Sequence, residues 1–246
     1  MTISSQLEVE TVQNELTVRP GDVLKVLLTV GVLLVAAQIA TVIFRFGFGY
    51  EYVKGFVPLF NMDGEGNFPA YLSFIQILLA GLILFFIAQL ERKNAAKHVV
   101  EWYVLSGGFL LMALDEGIML HERLAAPVRT ALDSETTNVG IFYAVWTIPA
   151  GIIVILLGLY FLRFLLALEA VHRFRFMLAG ALYLSGAIGM ELVGMYYFKA
   201  VGGDDAIFGV LVTIEESLEI FAVTVFVWSL LKYCQQRYKA VSIRLY

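Results

Sequence analysis

The sequence predicts an all-α integral membrane protein, a bundle of six transmembrane helices with both termini cytoplasmic. Three observations carry this expectation. Of 246 residues, 60% are hydrophobic and 15% charged, whereas soluble domains run roughly 45–50% apolar and about 25% charged. Residues 26–44, 66–90 and 136–162 contain no Asp, Glu, Lys or Arg, and a bilayer core of ~30 Å needs about 20 helical residues. Basic residues are also distributed unequally between the two sides that such a bundle would have. Twelve fall in inner segments (Arg19, Lys25, Arg92, Lys93, Lys97, Arg163, Arg173, Arg175, Lys232, Arg237, Lys239, Arg244) and five in outer ones (Arg45, Lys54, Arg123, Arg129, Lys199), a positive-inside bias.

In chain order, residues 1–22 read as a polar cytoplasmic tail. This segment holds Glu8, Glu10, Glu15 and Asp22 and lacks the basic start of a cleavable signal peptide. The transmembrane domain is expected over 23–232, with helices near 23–46, 69–91, 100–124, 140–163, 175–198 and 207–231. Residues 233–246 form a basic tail with one cysteine, Cys234, which has no second cysteine to pair with. Helices are expected because lipid offers the backbone no hydrogen-bond partners, and no stretch alternates as a membrane β-barrel does. The longest connection, Gly47 to Pro69, is rich in glycine and aromatics and reads as irregular or partly re-entrant, with a turn at Asp63-Gly64. The net charge of −4 argues against nucleic acid as a partner. The first expected partner is the bilayer of the inner or plasma membrane, and a homo-oligomer or a larger membrane complex is compatible with the short loops.

The informative residues are acids inside three of the expected spans. The third carries Asp115, Glu116, His121 and Glu122, the fifth Glu191, and the sixth Glu215, Glu216 and Glu219. Glu116, Glu191 and Glu215 each fall eight residues from an expected outer end, about 12 Å deep at 1.5 Å per residue. Burying a charge in a bilayer costs from about 2.5 to over 10 kcal/mol, so such groups face the bundle interior and find partners. With no Lys or Arg expected at that depth, three outcomes remain: a metal cation, shared protons, or water from an open cavity.

Carboxylates with an imidazole suit a divalent ion such as iron or manganese. The candidate ligands are Glu116, His121, Glu191, Glu216 and Glu219, with Asp115, Glu122 and Glu215 as further candidates. Glu216 and Glu219 are three apart and share a helix face. Glu116 and His121 are five apart, about 140° around a regular helix, so a bend would be needed to bring them together. The alternative is structural: the acids would bond to backbone or to Thr213, Ser217, Tyr196 and Tyr197. Asp63 and Glu65 could cap the cluster from the first loop or be solvated there. His98 and His172 read as interfacial histidines, Gln38 and Gln76 as cross-helix hydrogen bonders, and Pro149 as a kink. Gly186, Gly189 and Gly194 read as close-packing positions.

The segments FNMDGEGNFPAYLS and LDEGIMLHERL resemble a family of bacterial multi-pass membrane proteins carrying a Leu-Asp-Glu-x4-His-Glu motif. The resemblance covers most of the chain and implies the membrane fold, with no activity attached. The expected function is a metal-binding membrane protein, with a membrane metallo-oxidoreductase as its enzymatic form. A proton- or cation-coupled transporter or channel, or a non-catalytic subunit of a membrane complex, is the alternative.

Overall fold

A computed structural model describes residues 19–120 and 146–238. All regular structure among them is helical. The first long helix, α1 (Pro20–Val42), begins with Pro20 at a position where its missing N–H costs nothing. It runs into a wide π turn, Ile43–Gly47. A short 3-10 turn, Val53–Gly55, and α2 (Phe56–Phe60) follow. Next come α3 (Phe68–Lys93), α4 (Val99–Ile118) and α5 (Thr147–Ala167). The chain then rises through α6 (Ala170–Leu184), a second π segment (Ser185–Met190) and α7 (Glu191–Val201). It returns through the longest helix, α8 (Ala206–Tyr238).

Four of these segments are long and apolar enough to cross a membrane: Pro20–Gly47, Phe68–Lys93, Thr147–Ala167 and Ala170–Val201. Among the described residues four segments meet this measure, where six spans were expected. The other two expected spans, α4 and α8, carry Glu101, Asp115 and Glu116 and Glu215, Glu216 and Glu219 respectively, and these acids interrupt their apolar stretches. The four apolar helices are compatible with a membrane protein. On α5, Ile152, Ile153, Ile155, Leu156, Leu159 and Leu162 are all exposed, a girdle that water would not tolerate and lipid would.

The bundle is organised around α8, which packs against α1, α3 and α6, while α3 and α4 form the most extensive pair. The reason α3 and α4 approach so closely is Gly81. A Cβ there would lie 2.9 Å from Leu110 Cδ2, and the space instead lets Ser106 Oγ donate to the Gly81 carbonyl at 2.9 Å. One core cluster centres on Leu84, Ile87, Trp102, Phe164 and Leu230, and a smaller one on Leu34, Met62, Phe208 and Ile220. Gln76 crosses between helices as expected, donating to Thr224 Oγ1 at 3.1 Å. Gln38 accepts from the Met62 backbone N–H at 3.1 Å, which draws the first loop down onto α1.

That loop is ordered by its own side chains. Asn67 caps α3 through Ala70 N–H at 3.1 Å and donates to the Asn61 carbonyl at 2.7 Å and to the Gly64 carbonyl. Its glycine is needed at Gly66, where φ is +69° and a side chain would be strained.

Several expected boundaries change. α4 stops at Ile118 with Met119 left-handed at φ 54°, so Glu116 sits two residues from that end rather than eight. α8 extends to Tyr238, seven residues beyond the expected stop. Pro149 falls in the first described turn of α5, where proline does not disrupt helical hydrogen bonding, so it makes no mid-helix kink.

Candidate carboxylate site

The acids of α8 meet those of α4 and α7. Glu215 and Glu216 are adjacent, and Glu219 lies one turn further along. The strongest electrostatic neighbours of Glu215 include Glu191, Glu216 and Asp63, and Glu215 shares a hydrogen bond with Glu191. Glu216 lies in the field of Glu116, Glu65, Asp63 and Glu191. Glu219 lies in the field of Glu216, Glu215 and Glu116 and is hydrogen-bonded to Tyr183. Glu116 of α4 is thus turned to the cluster. All of Glu116, Glu191, Glu215, Glu216 and Glu219 are half-buried. His121 and Glu122 lie outside the described residues.

Close packing makes this convergence possible. At Gly186, in the π segment, a Cβ would lie 2.8 Å from Glu219 Cγ and 2.9 Å from the Glu215 carbonyl oxygen. At Gly194 a Cβ would stand 3.9 Å from Glu215 Oε2, so that carboxyl lies along α7. Gly189 faces its own helix, 3.8 Å from the Leu184 carbonyl, and is not a packing position against α8.

The Glu191–Glu215 contact has a definite chemistry. Two carboxylates both lack a donor, so a hydrogen bond between them requires one proton. Trp146 Nε1 donates to Glu191 Oε1 at 3.1 Å, and indole N–H only donates. Glu191 thus accepts from Trp146 and also shares one proton with Glu215.

Partners expected from the sequence are used elsewhere. Thr213 donates to the Gly209 carbonyl at 2.6 Å and Ser217 to the Thr213 carbonyl at 2.5 Å, both within α8. Tyr197 donates to Asp205 Oδ2 at 2.8 Å. Sequence reasoning missed the groups that do contact the acids, Tyr183 and Trp146. A single aromatic on another helix carries no local signal of such a contact.

Above the cluster, Arg45 pairs with Glu51 at 3.2 Å and with Asp204, tying the end of α1 to the turn before α8. Asp63 sits in a recess among protein atoms although its outer surface is exposed. Burial there, with the Asp204 and Glu191 charges and against the pull of Arg45, raises its pKa to about 6. Asp205 goes the other way: the Phe208 backbone N–H and the Tyr197 hydroxyl lower its pKa. Asp63 and Glu65 thus belong to the electrostatic environment of the cluster and are not merely solvated.

Among the described residues, no group of three or more His, Cys, Asp or Glu side chains is arranged to hold a metal ion. Of the expected ligands, Glu116, Glu191, Glu216 and Glu219 lie in one charge cluster, while His121 lies outside the described residues.

Residues 26–234 match the family described as Domain of unknown function (DUF8692). The chain belongs to this family. No curated protein and no solved structure matches it. The DUF8692 match spans every acid of the cluster together with His121 and Glu122.

The opposite end of the bundle holds a second polar arrangement. Glu91 is 3% exposed, and its Oε1 accepts from Tyr233 at 2.8 Å, Tyr238 at 2.5 Å and Arg237 Nε at 3.3 Å. These bonds staple α3 to the end of α8. The sequence signal was faint: one acid directly after a charge-free run.

Proposed function

We propose that this chain is a six-span protein of the inner or plasma membrane, with both termini cytoplasmic. Its carboxylate cluster, near the outer leaflet, binds cations and exchanges them with protons. The function is that of a proton- or cation-coupled transporter or channel. The observation that carries this reading is the hydrogen-bonded Glu191–Glu215 pair, set among Glu116, Glu216 and Glu219. A carboxyl pair that holds one proton can trade it for a monovalent cation without changing the net charge of a low-dielectric site. Asp63 and Glu65 extend the negative field toward the loops, a route along which cations are drawn.

The topology rests on two supports besides the basic-residue bias. The α3–α4 connection, the α5–α6 connection and the end of α8 line one common cavity. Arg45 joins the α1–α2 and α7–α8 connections. Among the described connections, those after α3 and α5 thus gather at one end and those after α1 and α7 at the other, which supports antiparallel spans.

The second reading is a metal centre, in which an iron or manganese ion is held by Glu116, Glu191, Glu216 and Glu219 with His121. What favours it is the number of acids from three helices that lie in each other's fields. A lipid bilayer is the partner in either case, and assembly into a homo-oligomer or larger complex fits both.

The test is flux. The purified chain, reconstituted into liposomes with an internal pH dye, is given outward gradients of Na+, K+, Mg2+ or Mn2+. Cation-dependent proton movement that disappears in Glu215→Gln and Glu191→Gln supports exchange. Stoichiometric iron or manganese by elemental analysis, lost in Glu116→Gln, with no flux, supports the metal centre instead. Neither flux nor bound metal overturns both.

A further inference from the structure

At the basic end of the bundle, on the outside of α6 and α8, one arginine has no anion to meet. Arg175 lies five residues after Ala170, the start of α6, about 7.5 Å along the axis at 1.5 Å per residue. Phe176 and Phe226, 5.2 Å between centroids, and His172 and Tyr233, also 5.2 Å, fix the antiparallel register of α6 on α8. Arg175 and Trp228 fall between these contacts, and the guanidinium carbon stands 4.7 Å from the Trp228 ring centroid, a cation–π contact. Val171 and Leu178, four before and three after Arg175, share its helix face. Both are exposed, so this is a face for lipid.

The guanidinium is only partly covered. Arg175 is half-buried, and of its three nitrogens only Nη1 is both shielded and without a partner. Nε and Nη2 also lack acceptors among the described residues, so they remain open at the surface. The same holds for the indole N–H of half-buried Trp228. Lys232, four residues after Trp228, lies on the same face of α8, and its Nζ meets only the Gln235 amide oxygen, at 3.1 Å. Among the described residues no carboxylate pairs with Arg175 or Lys232, whereas Arg45 and Arg237 each have one. Two positive charges and a free indole donor thus stand together beside an apolar surface, which is costly unless an anion joins them.

We propose that this face binds the headgroup phosphate of an anionic phospholipid. A guanidinium offers two parallel N–H donors to a phosphate, and Nε with Nη2 is such a pair. Trp228 adds a third donor and Lys232 a second charge. Leu178 on α6 and Val225 on α8, about one turn toward the middle of the spans, give the acyl chains an apolar track. A zwitterionic lipid carries the same phosphate with a cation attached, which two unpaired positive charges disfavour. The inference rests on the membrane placement proposed above and not on cation exchange at the carboxylate cluster.

Native mass spectrometry of the detergent-solubilised full chain, titrated with phosphatidylglycerol and with phosphatidylcholine of identical chains, tests this directly. The first phosphatidylglycerol is expected to bind about thirtyfold tighter, the ratio that two basic residues near a membrane surface give. Arg175→Gln and Lys232→Gln should each lower that preference about fivefold. Arg92→Gln removes the same charge from an exposed position in the last turn of α3 and should leave the preference unchanged. Equal affinity for the two lipids, or a loss from Arg92→Gln as large as that from Lys232→Gln, would overturn the proposal. So would displacement by glycerol phosphate, the headgroup without its chains, which would make this a site for soluble anions. Flotation with phosphatidylcholine vesicles checks the membrane placement by itself. A chain that does not float overturns both readings, and one that floats but shows no lipid preference overturns this one alone. The comparison of Lys232→Gln with Arg92→Gln stands even if Arg175→Gln does not fold.

Discussion

Replacing Gly186 by alanine tests whether the carboxylate cluster depends on helix packing. The added Cβ would sit 2.8 Å from Glu219 Cγ and 2.9 Å from the Glu215 carbonyl oxygen. The Glu219 side chain can rotate, but the carbonyl belongs to α8 and cannot move alone. Relief to ordinary contact requires α6 and α8 to part by roughly half an ångström, and such overpacking costs about 1–3 kcal/mol. Alanine's better helix propensity returns at most about 1 kcal/mol, so a net loss of roughly 1–2 kcal/mol is expected. Gly180 is the internal control, because a Cβ there meets nothing within 4 Å, and Gly180→Ala should be neutral or stabilising. Thermal unfolding of both variants in one detergent decides the matter. The reasoning fails if Gly186→Ala is as stable as Gly180→Ala. It also fails if Gly186→Ala melts early while Glu191→Gln affects the two backgrounds alike, because then the helices would have parted without disturbing the pair.

Three further outcomes follow from contacts at the two ends. Trp146→Phe keeps the ring and removes the N–H that reaches Glu191 at 3.1 Å; it should cost about 1–3 kcal/mol, and a melt unchanged from wild type would show that Glu191 has no need of that donor. Tyr233→Phe removes the 2.8 Å bond to Glu91 and should destabilise by a similar amount, about 1.5–3 kcal/mol, read by chemical denaturation. Asp63 should titrate near pH 6. Because its folded pKa lies above the ordinary 3.8, its stabilising contribution is full below pH 3.8 and is lost as pH rises through about 6. Asp63→Asn should therefore raise the unfolding midpoint at pH 7 and leave it nearly unchanged at pH 4. A carboxyl NMR titration of Asp63 centred near 4 would contradict this.

The positions of the long helices were legible because the cost of placing charge in lipid is paid per segment, so charge-free runs such as 66–90 mark them without tertiary information. The cross-helix role of Gln76 and the close approach at Gly186 were legible for a related reason. Amides and small residues inside apolar runs have few other uses. The helices α4 and α8 were harder, since the same acids that mark the candidate site also dilute their apolar character. The facing of the acids was not readable. Whether Glu116 or Asp115 turns inward depends on where α4 ends, and Met119 supplies a left-handed stop that no glycine or proline announces. The wide turn at Ser185–Met190 was equally hidden, although its run of small residues is what permits it. His172 defeated a local reading because its neighbours His172-Arg173-Phe174-Arg175 look like an interface, while its burial comes from Tyr233, sixty-one residues away.

The turn at Ser185–Met190 bears on how the carboxyl pair can be broken. A π segment spends one more residue per turn than an α-helix does, and residues on either side keep their facing only while that surplus is absorbed there. If the ladder tightened to α spacing with no residue removed, everything after it would swing by about 100°, the angular step of a single residue. Glu191 is the first residue after the segment and would sweep away from Glu215 before any helix had to tilt. The hydrogen-bond pattern of six backbone units thus sets whether two acids on neighbouring helices share a proton or stand apart.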